Sequence, residues 1–337
     1  GLLVYILRCD EEELLVIMNT ANDQRITNFK TDYEPGTTFE PIYNAAAGVG
    51  IPIVVREEGY MNLKMPAKSF TIFSVSKERS EVSKPNVDVS IDLKSGDKLT
   101  KLTEVTGETN AKTLYVYIDR KVESELKIEP KNGKFTFTID PLKLDPGEHT
   151  VLIRAIGKTV KDTLYTDEIK VSVELEKKLL AEVADPRDDD TGLSGTYVYP
   201  TDLSFKRQMD IVEAKAESIG STLILSIKPR DLTKSWSPTY GFDHVTYQIF
   251  LNDPTKSGAR FLPLQNYEFK DWDWDYEIFA TGWISRIYAA KGAMKDKFGI
   301  QIGSPEIFVE DGWVNIIVKG DWIDNPSSFS GWTIYIT

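Results

Sequence analysis

The sequence predicts an all-β chain built as three consecutive antiparallel β-sandwiches. Three observations predict it. Apolar residues gather in short β-branched and aromatic runs of strand length, such as Leu114-Tyr115-Val116-Tyr117-Ile118 and Leu223-Ile224-Leu225-Ser226-Ile227. Turn dipeptides separate these runs: Pro35-Gly36, Asn132-Gly133, Pro146-Gly147 and Asp311-Gly312. No segment sustains helical periodicity over three turns. Closely spaced short strands of this kind stack as sandwiches.

Composition bounds the chemistry. The chain has 337 residues, and domains of roughly 100–200 residues make two or three of them the expectation. Hydrophobic residues are 41% and charged residues 27% of the total, enough for each piece to bury a core. The net charge of -12 argues against a nucleic-acid partner, which needs a basic surface to displace counterions. A single cysteine, Cys9, excludes an internal disulfide and any multi-cysteine metal site. Two histidines, His149 and His244, leave little for a histidine-based metal or proton relay. No apolar run of about 20 residues is present, so no helix is expected to span a membrane. The chain opens on Gly1 and enters an apolar run at once; it is expected to be part of something longer, and a monomer.

The first sandwich is placed at residues 1–79. Its strands open with Leu3-Val4-Tyr5-Ile6-Leu7-Arg8 and Glu13-Leu14-Leu15-Val16-Ile17-Met18-Asn19. It closes on Met65-Pro66-Ala67-Lys68-Ser69-Phe70-Thr71-Ile72-Phe73. This order resembles the small β-domain that follows the catalytic barrel in α-amylase-family glycoside hydrolases. The resemblance implies a parent enzyme of that family. It also implies that the acid and nucleophile carboxylates of glycoside cleavage sit on a barrel that this chain lacks. The run Asp10-Glu11-Glu12-Glu13 reads as a solvated turn.

Residues 84–175 form the second element, after the polar stretch ending at Pro85. Pro85-Asn86-Val87-Asp88-Val89, the run Leu114–Asp119 and Leu144-Asp145-Pro146-Gly147-Glu148-His149-Thr150-Val151 resemble an immunoglobulin-like or fibronectin-like sandwich. It reads as a spacer. His149 is expected to be a partly buried strand residue contacting the turn.

The third element spans 180–337. It holds 15 basic and 23 acidic residues, and all seven tryptophans lie between Trp236 and Trp332. Function is therefore expected here. Its opening, Asp185-Pro186-Arg187-Asp188-Asp189-Asp190-Thr191-Gly192 and then Gly195-Thr196-Tyr197-Val198-Tyr199-Pro200-Thr201, resembles the C-terminal module of glucodextranase and of amylopullulanase-like enzymes. Arg187 stands where that module has glycine, and Ser194 where it has proline. The resemblance implies a β-sandwich similar to family 9 carbohydrate-binding modules and surface-associated domains.

Two candidate sites follow. Calcium takes six to eight hard oxygen ligands, and Asp185, Asp188, Asp189, Asp190 and Asp210 can supply carboxylates from a bent loop and the next strand. The same aspartates can equally form a solvated turn; the resemblance favours structural Ca²⁺. In Asp271-Trp272-Asp273-Trp274-Asp275 the alternation puts both indoles on one side. Trp272 or Trp274 is then a platform for a sugar ring, or both fill the core. Trp236 with Tyr240, in a Ser/Pro loop, is a comparable candidate. Trp313 and Trp332 read as core. No catalytic residue is expected. The reading is an accessory region of an extracellular or cell-surface α-glucan-acting hydrolase. Its partner is an α-glucan polysaccharide or oligosaccharide, and the alternative is a cell-envelope anchor without sugar affinity.

Overall fold

A computed structural model describes all residues except 10–11, 45–50, 81, 83, 123–124, 160–161, 192–193, 199 and 206. Part of the acidic run at 10–13 and, in the later motif, Gly192 and Tyr199 lie outside the described residues. Helix among the described residues amounts to short 3-10 turns; everything else regular is strand. Among the described residues no helix is long and apolar enough to cross a membrane.

Contacts divide the chain into two units, Gly1–Ile139 with Gly147–Val173, and Asp140–Pro146 with Glu174–Thr337. The first unit begins with β1 (Leu2–Cys9), β2 (Glu12–Asn19), β3 (Arg25–Lys30), β4 (Thr37–Asn44), β5 (Ile53–Val54), β6 (Tyr60–Met65) and β7 (Ser69–Arg79). They pair as β1-β2-β7-β4-β5 and β3-β6 around Leu15, Ile17, Phe39, Met61, Met65 and Phe73. Glu13 is the second residue of β2 and is held by Arg8 at 3.2 Å and by the Tyr33 hydroxyl. It is a paired strand residue and not a free turn carboxylate.

The unit continues with β8 (Val89–Ile91), β9 (Lys98–Leu99), β10 (Thr103–Thr109), β11 (Thr113–Ile118), β12 (Leu126–Ile128), β13 (Lys134–Ile139), β14 (Gly147–Ile156), β15 (Thr163–Tyr165) and β16 (Ile169–Val173). These form the sheets β13-β10-β8 and β12-β11-β14-β16-β9, with β15 on β14. The β16–β9 pair is parallel; the other pairs are antiparallel. In β13 the odd-numbered residues Phe135, Phe137 and Ile139 are buried and the residues between them are exposed, the period-2 signature of a half-buried strand. Asn132 and Gly133 both take positive φ, 53° and 76°, as a two-residue hairpin turn requires. His149 is buried in β14, with Nδ1 2.7 Å from Asp119 Oδ2, which holds the turn after β11.

The second unit holds β17 (Lys178–Ala184), β18 (Ile211–Ile219), β19 (Thr222–Pro229), β20 (Thr246–Asn252), β21 (Tyr276–Thr281), β22 (Ser285–Ala289), β23 (Ile300–Gly303), β24 (Glu306–Glu310), β25 (Trp313–Val318) and β26 (Gly331–Ile336). Two five-stranded antiparallel sheets result, β17-β18-β19-β25-β24 and β23-β22-β21-β20-β26. Their inner faces meet through one core that includes Leu225, Ile227, Ile249, Ile278, Val314 and Ile316. The β24–β25 hairpin turns on Asp311 and Gly312, again both at positive φ, 49° and 80°. Trp332 packs on the core. Trp313 does not: Val314, Ile316 and Val318 take the inward positions, so it faces outward beneath the ammonium groups of Lys215 and Lys228, at 4.8 and 5.3 Å.

Candidate binding site

The acidic corner is built where β17 ends and β18 begins. These strands are neighbours, and the Asp185 amide donates to Val212 O at 3.0 Å. Asp185 and Asp210 therefore stand side by side. Burial, together with the charges of Asp189 and Asp210, pushes the Asp185 carboxyl up. Asp210 is fully buried and takes the Asp188 amide at 3.0 Å on Oδ2. Two arginines then enter. Arg207 donates to Asp188 at 2.6 Å and holds Asp190 through Nε at 3.3 Å and through Nη2. Arg230 reaches Asp188, and Asp210 at 3.4 Å. Both guanidinium pKa values are raised, that of Arg207 chiefly by its bond to Asp190 and that of Arg230 chiefly by Asp188.

This corner bears directly on the calcium expectation. The carboxylates have the hard-oxygen chemistry, and Asp210 Oδ1 is buried without a hydrogen-bond partner. The grouping is another matter: among the described residues no three carboxylate, histidine or cysteine side chains converge as a metal site. Arginine nitrogens lie where a cation would sit.

The aromatic candidates separate sharply. Trp274 is 0% exposed; it packs with Phe250 and Leu262, and its Nε1 donates to Phe261 O at 2.9 Å. Its ring has no face left for a sugar. Trp272 is half-buried on the same cluster, edge-on to Phe269 with centroids 4.9 Å apart. The alternation therefore does put both indoles on one side, but that side is turned to the protein. Asp273 and Asp275, which alternate with them, serve the neighbouring loop. Asp273 accepts from Asn252 at 3.1 Å and from the Gly258 amide at 3.1 Å, and Asp275 accepts from the Asp253 amide at 2.7 Å.

Trp236 is 65% exposed, on the connection between β19 and β20. Its backbone is fixed from beneath. The buried carboxylate of Asp243 accepts from the Ser235 amide and from the Trp236 amide at 3.2 Å. The indole meets the edge of His244 at 5.9 Å, and His244 stacks on Phe205 at 3.9 Å with Nε2 3.0 Å from Ser204 Oγ. Tyr240 is half-buried against the core, and its amide donates to Gly282 O at 2.9 Å. That bond ties the loop to the β21–β22 turn. There Gly282 is required, because a Cβ would press into the backbone oxygen of Phe242. Beside it Trp283 is 46% exposed, its amide held by Thr281 Oγ1 at 3.1 Å. Trp236 and Trp283 thus occupy adjoining loops at one end of the sandwich. Sequence reasoning missed Trp283; its only local signal is the Thr281-Gly282-Trp283 turn.

Residues 180–337 match the family model of the C-terminal binding-module, SLH-like, of glucodextranase. The matched stretch contains the two five-stranded sheets of the second unit, but for the first two residues of β17, together with the acidic corner and the two exposed indoles. Among curated proteins nothing matches the chain. Two solved structures are similar. One is the endo-β-1,4-mannanase from Thermotoga petrophila, at 22% identity over 27% of this chain and 20% of that one, with a TM-score of 0.23. The other is the ICAM-5 D1–D4 ectodomain fragment, at 10% identity over 92% of this chain and 80% of that one, with a TM-score of 0.19. The chain spans about a fifth of the mannanase's length. Similarity at these scores carries no argument about function.

Proposed function

We propose that this chain is a non-catalytic accessory region of an extracellular α-glucan-acting hydrolase of the α-amylase family. Residues 180–337 bind the glucan and hold the enzyme on it. The observation that carries the reading is the exposed indole of Trp236 on a backbone fixed by Asp243, within a stretch that matches a binding-module family. An indole face covers the apolar C–H face of a sugar, and a ring already held in place loses little freedom when it does so. Trp283 extends the same end of the sandwich. So small a desolvated area gives affinity nearer millimolar than nanomolar.

Retardation in native gels containing amylopectin, pullulan or dextran tests the reading. The wild type is expected to be retarded by at least one of them. Trp236→Ala is expected to lose the retardation while its melting temperature stays unchanged. Absence of retardation in all three gels overturns the sugar reading.

The SLH-like description of the matched family favours a second reading, a cell-envelope anchor without sugar affinity. Retention on an isolated envelope fraction with no retardation by glucan is its signature. We also propose Ca²⁺ for the acidic corner, supported by the unpartnered Asp210 Oδ1. A cation there requires Arg207 and Arg230 to move aside. Calcium then raises the melting temperature by mass action, and Asp210→Asn removes the rise. Identical melting with and without chelator overturns this proposal.

A further inference from the structure

The second sheet of the second unit has two faces. Along β21 the residues Tyr276, Ile278 and Ala280 join the core between the sheets, so Glu277 and Phe279 emerge on the opposite, outer face. Register places Glu277 between Phe250 of β20 and Tyr288 of β22, with Gln248 and Arg286 on either side of Phe279. Gln248 and Glu277 are both 0% exposed. The Gln248 amide donates to Glu277 Oε1 at 2.9 Å. The two remaining oxygens, Glu277 Oε2 and Gln248 Oε1, are buried with no hydrogen-bond partner.

Two adjacent buried acceptors without donors are costly to a folded sheet. A strand needs no carboxylate there, since Val or Thr would fill the same pleat. Once Glu277 has lost its proton, the missing partner has to bring donors and no negative charge, because a second anion would be repelled by the carboxylate. It also has to suit aromatic surroundings. Phe298 stacks on Tyr288 at 4.8 Å and 9° and meets Phe279 edge-on at 5.2 Å. Phe298 is half-buried and comes from the connection between β22 and β23, so one ring from outside the sheet covers the Tyr288 face. The Arg286 guanidinium stands at the rim, exposed, with Nη1 3.4 Å from the Tyr288 hydroxyl.

We propose that this outer face is a saccharide site. Hydroxyls of the sugar donate to Glu277 and Gln248, and its ring takes the place of Phe298 on Tyr288. A neutral, hydroxyl-rich ring supplies both donors and an apolar face, which a phosphate, a carboxylate or a plain aromatic does not. The site lies on the flat of the sheet and is separate from the Trp236 loop. The proposal rests on the carbohydrate reading of residues 180–337.

The test titrates the full chain with maltotriose and with isomaltotriose at pH 8. It follows the side-chain amide signals of Gln248 by NMR and the affinity by calorimetry. Gln248 is expected to shift on titration. Glu277→Gln is expected to weaken binding by about tenfold or more, since a hydrogen bond to a charged acceptor is lost. Phe298→Ala is expected to tighten binding by removing the competing ring. If a saccharide binds but Gln248 does not shift, or Glu277→Gln binds as the wild type does, the sheet-face site is overturned while the carbohydrate reading stands. Unchanged or weaker binding in Phe298→Ala overturns it in the same way. If neither saccharide binds at all, both fall.

Discussion

Glu277 is a buried carboxyl that receives the Gln248 amide. Burial pushes its carboxyl up to about 7, against an ordinary value of 4.5, and the Gln248 hydrogen bond only partly opposes this. Between those two values the folded state binds more protons than the unfolded chain, so stability falls as pH rises. The loss is complete above pH 7 and amounts to about 3 kcal/mol at most for one buried carboxyl. The melting temperature of the second unit is therefore expected to drop between pH 5 and pH 8. Glu277→Gln is expected to flatten the dependence and to be the more stable protein at pH 8. A profile identical to the wild type's contradicts the burial argument. Among the aromatics, Trp274 and Trp236 are opposites. Trp274→Ala empties a filled site and is expected to cost about 3–5 kcal/mol, whereas Trp236→Ala removes a mostly exposed ring whose ring contact is the edge of His244. Chemical denaturation of the two variants separates them.

At the scale of the element, the connection between β19 and β20 carries the exposed indole and owes its shape to Asp243. Its carboxylate receives two successive loop amides, and its own amide donates to Thr233 O at 2.8 Å. Asp243→Ala leaves buried donors unmatched and is expected to cost about 1–3 kcal/mol. It is also expected to weaken glucan retardation although Trp236 is still present. Intact retardation in that variant means the loop's shape does not matter for binding. The β21–β22 turn depends on Gly282 for a steric reason, and Gly282→Ala is expected to perturb Tyr240 and Trp283 together. The hairpins at Asn132-Gly133 and Asp311-Gly312 needed no tertiary help to be recognised. Two consecutive positive-φ residues are costly for most side chains and cheap for Asn, Asp and Gly.

At the scale of the whole molecule, the described residues are two β units with separate interiors, and the binding features gather in the second. The purified chain is expected to release no reducing sugar from starch, pullulan or dextran. Reproducible release that disappears on mutating an Asp or Glu of this chain contradicts the accessory reading. The sequence by itself determined the all-β class, the position of most strands and the concentration of aromatic and acidic residues after residue 180. Strand period and turn chemistry are local properties, set by how a side chain sits on its own backbone. It also determined the stretch that matches a binding module, because that opening is a contiguous motif. Only the tertiary structure decided which rings are free. Trp272 and Trp274 alternate as an exposed platform would, yet a pleat has two sides and nothing local says which is covered. Here the cover is the cluster around Phe250 and Leu262, brought by β20 and by the loop after it folding back onto this segment. Arg207 and Arg230 likewise reach the acidic corner from outside the aspartate run, and Glu277 meets Gln248 only because β20 and β21 pair in one register. Burial, and with it charge pairing and access for a ligand, is a property of those long-range pairings.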